Sequence, residues 1–480
     1  MKKLNSSTEV HCLPRVIQGG MGFNISIWPL ARIVSMLGQL GTVSGVGADI
    51  LLARLLQEGD LGGHLRRALA TFPFQNMAKG VLDEYFVEGG IPAGAKYKGK
   101  PVFTVKPPAR LIALTICANY AFVYLAKEGH SNPVSINYMA KISMSLMCGI
   151  LGAMMAGVDF VTVGAGIPRQ IPDVIDAIAE GRVVHYDVDY AGIDGKTKKY
   201  AMSFDPKKFF GSELPPMKKP GFIPIVASTA LAILFATKIE GDIAALVVEG
   251  PTAGGHNAPP RTPAINADGE QILVYGEKDV VDYAKLVALG VRFYIGGSCA
   301  SPERLRWALS VGAMGIQVGS MFAFSDDSGM DPEIRREVRR QGYNGTLKVR
   351  TDMDISPTGY PFQVVELEGT IADPEVFRKR DRVCNQCALV SLYEKPDGSI
   401  GYRCAAEPEK KYTAKGGKLE DTVGRGCLCN GLMVTARLGN KGEPAVVTAG
   451  NLDFLPFLMD GPNDSYGAKQ AIEYLLGNTV

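Results

Sequence analysis

The chain has 480 residues, with Lys+Arg 51 against Asp+Glu 49 and a formal charge of +2. That balance provides no basic field to hold a nucleic acid or an anionic membrane. An apolar content of 46% excludes a disordered chain. The length admits about three domains, or equally one large barrel with insertions. No apolar signal segment opens the sequence, so the cytosol and reduced thiols are expected. Two uncharged apolar stretches, 111–126 and 142–158, fall short of the roughly 20 residues of a membrane-spanning helix and read as buried.

Taken in order, Arg15-Val16-Ile17-Gln18 is a short strand running into Gly19-Gly20-Met21-Gly22. A helix follows at 29–40, then a second strand at Thr42-Val43-Ser44-Gly45-Val46, and helices at 51–57 and 64–70. Residues 76–132 break the rhythm with repeated Gly and Pro and read as an insertion. Pro133-Val134-Ser135-Ile136-Asn137 is the third strand. It is followed by a Met-rich helix and by the strand Phe160-Val161-Thr162-Val163. Helix 171–180 comes next, and 183–220 reads as an excursion. The strand at 222–226 and the helix at 230–239 lead to an apolar run, 244–248, that ends in Gly250-Pro251-Thr252-Ala253-Gly254-Gly255-His256. After a Pro-rich loop come a helix at 280–289, a strand ending in Gly296-Gly297-Ser298, a helix at 302–310, and the strand Gly315-Ile316-Gln317-Val318 before Gly319-Ser320.

Eight strands thus start near residues 15, 42, 133, 160, 222, 244, 291 and 315, alternating with helices, and nearly all end in glycine. That pattern predicts an α/β fold, a (β/α)8 TIM barrel with its site on one face. A Rossmann sheet is the rival, but it would place G-x-G-x-x-G after the first strand, and Gly20-Met21-Gly22-Phe23-Asn24-Ile25 fails at its last position. The expected division is a barrel over 1–330 with the insertion at about 76–132, then a C-terminal extension over 331–480.

Ile17-Gln18-Gly19-Gly20-Met21-Gly22, Gly254-Gly255-His256, Gly296-Gly297 and Gly315-Ile316-Gln317-Val318-Gly319-Ser320 occur in that order. Together they resemble the nitronate monooxygenase family, formerly 2-nitropropane dioxygenases, and the related FMN-dependent enoyl-acyl-carrier-protein reductases. The resemblance covers roughly residues 15–324, and the 356–362 segment is similar to one that follows the barrel in longer members. It implies FMN as cofactor, a small-molecule substrate, and O2 or NAD(P)H as co-substrate. It places Gly297 and Ser320 on the phosphate, Gln317 beside it, Gly20 and Met21 against the isoalloxazine, Asn137 near the flavin, and Gly254, Gly255, Gly296 and Gly319 in the cradle, with Ser228 as a weaker candidate. His256, one of five histidines, matches the family's catalytic histidine, which acts as a base or positions the substrate. A neutral imidazole of ordinary pKa suits either role. Cys299, in the predicted phosphate loop, reads as a packed thiol rather than a nucleophile.

Of nine cysteines, five gather at 384–429: Cys384, Cys387, Cys404, Cys427 and Cys429. C-x-x-C followed by Cys and C-x-C is a candidate zinc or iron–sulfur ligand set, with packed reduced thiols as the plain alternative. Three functions follow from these features. The first is an FMN-dependent nitronate monooxygenase, and the second an NAD(P)H-dependent enoyl-thioester reductase on the same scaffold. The third is a partner-binding protein with a zinc-like tail and a vestigial barrel. The oligomeric state is not encoded in these features.

Overall fold

The computed structural model describes residues 13–262, 264–266, 271–440 and 442–477; His11 and Cys12 lie outside them. Eight parallel strands form the central sheet: β1 Val16–Gln18, β2 Gly41–Ser44, β3 Val134–Met139, β4 Phe160–Gly164, β5 Gly221–Val226, β6 Leu246–Glu249, β7 Phe293–Gly296 and β8 Gly315–Val318. The sheet order is β1-β8-β7-β6-β5-β4-β3-β2. A parallel bridge between Ile17 and Leu40 joins its ends, with Leu40 N–H donating to Val16 O and Gln18 N–H to Leu40 O. The sheet is therefore a closed (β/α)8 barrel, as the alternation of strands and helices predicts.

The strands are short and apolar because the barrel buries them on both faces. Inward-facing Ile17, Phe160, Ile223, Val247 and Tyr294 form a separate inner core with Leu13 and Leu40. The Tyr294 hydroxyl donates to Pro14 O at 2.7 Å at the base of this layer. Packing below leaves the upper, C-terminal end of the barrel for chemistry.

Helices form where the sequence predicts them, with ends shifted by up to four residues: Trp28–Met36, Ala48–Gln57, His64–Ala70, Ile171–Ala179, Thr229–Thr237, Tyr283–Ala288 and Pro302–Ser310. Within 76–132, helix Gln75–Tyr85 and helix Ala109–Lys127 flank a stretch without regular structure. The second of these helices packs on β2, β3 and their neighbouring helices, and so serves as the crossover between the two strands. It is long and apolar enough to cross a membrane, and most of it is buried inside the protein.

The extension lies against the barrel. Ile355, Phe362, Leu428, Met433 and Val446 belong to the same apolar core as barrel residues Ile316, Phe322 and Phe324. The excursion after β4 is a hairpin, Val184–Ala191 with Thr197–Phe204. Strands Ser391–Glu394 and Ile400–Arg403 of the extension join it in one four-stranded sheet.

Candidate active site

A cavity of about 240 Å³ opens at the C-terminal ends of the barrel strands. Its wall contains Gly20, Met21, Asn137, Gly254, Gly255, His256, Gly296, Gly297, Gln317, Gly319 and Ser320. These positions come from the ends of β1, β3, β6, β7 and β8, and barrel closure brings them to one point. Ser228 does not line this cavity. Its hydroxyl accepts from the Leu231 N–H at 3.3 Å as the N-cap of helix Thr229–Thr237. In the structure Ser228 is thus a helix cap outside the lining of this cavity.

The glycine wall is held close to its neighbours. A Cβ on Gly20 would lie 2.0 Å from Asn137 Cβ, so only glycine lets β1 and β3 meet here. Gly297 has φ +89°, with Gly250 and Ala253 backbone atoms 3.2–3.4 Å from where a side chain would begin. Beside it the Ser298 hydroxyl donates to Thr252 Oγ1 at 2.8 Å. Below the loop, Gln18 spans β1 and β2: its Nε2 donates to Gly19 O and Ser26 Oγ, and its Oε1 accepts from Thr42 N–H.

His256 lies at the far end of the glycine loop that follows β6 Leu246–Glu249. Its Nε2 is 2.7 Å from Ser356 Oγ, which in turn is 2.8 Å from Thr358 Oγ1. The ring packs edge-on against Phe362, with centroids 4.9 Å apart. Backbone bonds pin the strip: Asn257 N–H to Pro361 O and Gln363 N–H to Gly255 O. Burial first, and the charge of Lys141 second, push the His256 pKa down to about 3. The imidazole is thus neutral across the physiological range. This differs from the expectation of an ordinary, near-neutral pKa, because burial in an apolar wall penalises the imidazolium.

Several contributors were not legible in the sequence. Glu249 ends β6 at the cavity, in register with Gly296, whose other neighbour is Gln317. Burial raises its carboxyl to about 7. The only available signal was its place one residue before the Gly250 loop. From the extension, Thr448 Oγ1 accepts from the Gly255 N–H at 2.7 Å, and Gly450 N–H donates to Ser320 Oγ at 2.8 Å. Arg425 donates to the carbonyls of Asp354 and Ser356, fixing the turn that presents Ser356 to His256.

The cavity suits a flavin. Its glycine wall can admit a flat ring closely, Met21 and Phe23 supply apolar contact, and Asn137 Oδ1 is buried beside it without a protein partner. Cys299 is buried, its Sγ on Gly297 O at 3.2 Å and its pKa raised by burial, so it is no thiolate nucleophile.

In the tail, Cys384 lies within hydrogen-bonding reach of Cys387, Cys404 and Cys427, and Cys427 of Cys429. The eight described cysteines are free thiols. Among the described residues no group of three or more His, Cys, Asp or Glu side chains is arranged to hold a metal ion. The zinc or iron–sulfur set expected at Cys384, Cys387, Cys404, Cys427 and Cys429 is therefore not supported, and these residues stand as free thiols.

No family model matches the chain, and no curated protein matches it. Among solved structures it is similar to FabK from Thermotoga maritima, at 15% identity over 97% of this chain and 92% of that one, with a TM-score of 0.48. It is also similar to a nitroalkane oxidase from Streptomyces ansochromogenes, at 12% identity over 97% and 95%, TM-score 0.43. A third similarity is to the enoyl reductase domain of MlnA from the macrolactin biosynthesis cluster of Bacillus amyloliquefaciens, at 11% identity over 76% and 66%, TM-score 0.38.

Proposed function

We propose that the protein is an FMN-dependent oxidoreductase of the cytosol whose substrate is an alkyl nitronate and whose co-substrate is O2. The ordered glycine motifs and their convergence on one cavity support the cofactor. When bound, FMN would accept the substrate's electrons and pass them to oxygen.

The observation that carries the substrate reading is the state of His256. An imidazole with its pKa near 3, bonded to Ser356 Oγ, is a poor base for a carbon acid. A nitronate arrives already deprotonated and requires no base. It requires orientation, which a fixed neutral imidazole provides by hydrogen bonding to the nitronate's polar atoms. Ser356 and Thr358 hold the ring in place, and the Phe362 face keeps water from its edge.

The second reading, an NAD(P)H-dependent enoyl-thioester reductase, is favoured by one group. Reduction of a carbon–carbon double bond calls for a proton donor. Glu249, with its carboxyl raised to about 7, could supply one where His256 does not.

Purified protein should show a flavin spectrum. Under anaerobic conditions a nitronate should bleach it, and NADPH should not. Rapid bleaching by NADPH with none by nitronate would overturn the nitronate reading in favour of the reductase. Protein without flavin would overturn both.

A further inference from the structure

A second and larger cavity, about 790 Å³, lies between the barrel mouth and the four-stranded sheet built from the excursion and the extension. It adjoins the glycine-walled cavity, because Phe23 and Ile142 line both. Its volume falls in the range of small-molecule sites.

The charges around it are unequally matched. Lys100 pairs with Asp49 at 2.7 Å, both side chains nearly buried, and Lys199 pairs with Asp187 at 3.7 Å. Asp189, on the hairpin, and Arg169 are exposed at the rim. Lys141 differs from these. It follows β3 on a tight turn, with Ala140 N–H bonded to Gly164 O and Ile142 N–H to Met139 O. Among the described residues no carboxylate lies within ion-pairing distance of it. Its ammonium sits 3.3 Å from the centroid of the Tyr360 ring. Tyr360 belongs to the same strip that carries Ser356, and the Lys141 charge is felt at His256. Lys141 therefore lines the second cavity beside Ile142, which borders both, and burial lowers its pKa to about 8. A half-buried cation held only by an aromatic face retains most of its demand for an anion.

We infer that Lys141 recognises an anionic group of the substrate, a carboxylate or a phosphate, seated in the second cavity while the reacting end reaches His256 in the first. The ligand class is thus a small organic anion with its charge remote from the reacting carbon. This deepens the proposed function and rests on it only for the identity of the reacting end.

The test measures binding, not turnover. Butyrate, butyl phosphate and neutral butyramide are titrated calorimetrically into the purified protein, with flavin content recorded separately. At least one anion should bind well above butyramide, and which one does distinguishes carboxylate from phosphate. Lys141→Met should weaken that anion by about tenfold or more, as expected for a charge-assisted contact, and leave butyramide unchanged. Lys141→Arg should retain most of the affinity and controls for folding. Equal binding of anion and amide, no binding of either anion, or undiminished anion binding by Lys141→Met would overturn the inference. Anion binding by flavin-free protein would keep this inference and defeat the flavin reading. A flavoprotein that oxidises nitronates bearing no second charged group yet ignores the anions would do the reverse.

Discussion

Two buried titratable groups at the cavity act in opposite directions with pH. His256, with its pKa depressed to about 3, binds fewer protons folded than unfolded between about pH 3 and its ordinary 6.5. Its contribution to stability is therefore present above about 6.5 and is lost as pH falls toward 3, by up to about 5 kcal/mol. His256→Gln should flatten the acid limb of a Tm-against-pH curve; an unchanged limb would show that His256 is not buried neutral. The same substitution should retain flavin and lower kcat, because it removes the imidazole that orients the nitronate. In the wild type, activity should show no limb near pH 6.5 that His256→Gln removes. Glu249 behaves oppositely. Its carboxyl, raised from 4.5 to about 7, holds a proton in the folded state that the unfolded chain releases. Stability should decline as pH rises from 4.5 to 7, by about 3 kcal/mol at most. Glu249→Gln should be the more stable protein at pH 8, and it should abolish an enoyl reduction while sparing nitronate oxidation. At Gly319 an added Cβ would meet only the Met21 Sδ, at 3.8 Å. Gly319→Leu should therefore fold with a stability loss below about 1 kcal/mol and be purified without flavin. Full flavin occupancy in that variant would remove the β8 loop from the cofactor wall.

At the level of elements, the site depends on a strip that the barrel does not itself supply. The antiparallel pair Val349–Asp352 and Phe362–Val365 carries Ser356 and Thr358 at its turn, and Phe362 bridges to His256. Arg425, from the cysteine-bearing segment, clamps that turn through three backbone carbonyls, those of Met353, Asp354 and Ser356. Arg425→Ala should loosen the turn and free the Ser356 hydroxyl from its fixed place. Flavin content should hold, because the glycine loops do not touch Arg425, while kcat falls and KM changes little. Loss of flavin in this variant would show that the clamp supports the barrel mouth rather than His256. On the opposite side, the 448–450 segment ties Gly255 and Ser320 to the extension through two bonds near 2.8 Å, so both halves of the glycine cradle lean on the C-terminal third of the chain.

Across the whole molecule, the barrel and the extension share one apolar core. Met321, Phe322 and Phe324 pack in a cluster with Val446, Leu455, Tyr466 and Leu475. The Tyr466 hydroxyl donates to Met321 O at 2.8 Å, and Asp326 N–H donates to Tyr466 O. A chain ended at residue 330 would expose this surface and lose the contacts under Ser320. It should be insoluble or lack a cooperative thermal transition; a soluble, cooperatively folding barrel of that length would show that the extension is an independent unit. The excursion after β4 adds to the argument. Its hairpin is completed only by strands some two hundred positions later, with Tyr393 opposite Ala191.

The eight barrel strands were legible in the chain because each is a local signal: a short apolar run ended by glycine, followed by an amphipathic or capped helix. Barrel order and the gathering of the glycine loops at one end follow from those signals and from right-handed crossovers. The place of His256 on the cavity wall was readable in the same way, although the loop from Gly250 to Gly255 separates it from the end of its strand. Ser228 shows the limit of such signals, because a hydroxyl after a strand serves equally as a ligand donor and as a helix cap, and the structure shows the cap to the Leu231 N–H. The cysteine spacing likewise could not decide between metal ligands and packed thiols, since it records nearness in sequence and not the geometry of a ligand set. Protonation was beyond the sequence altogether. The pKa values of His256 and Glu249 are set by desolvation, and desolvation is a property of everything packed around a group. Ser356, Thr448, Gly450 and Lys141 reach the site through contacts between residues far apart in the chain, and no local periodicity carries that information.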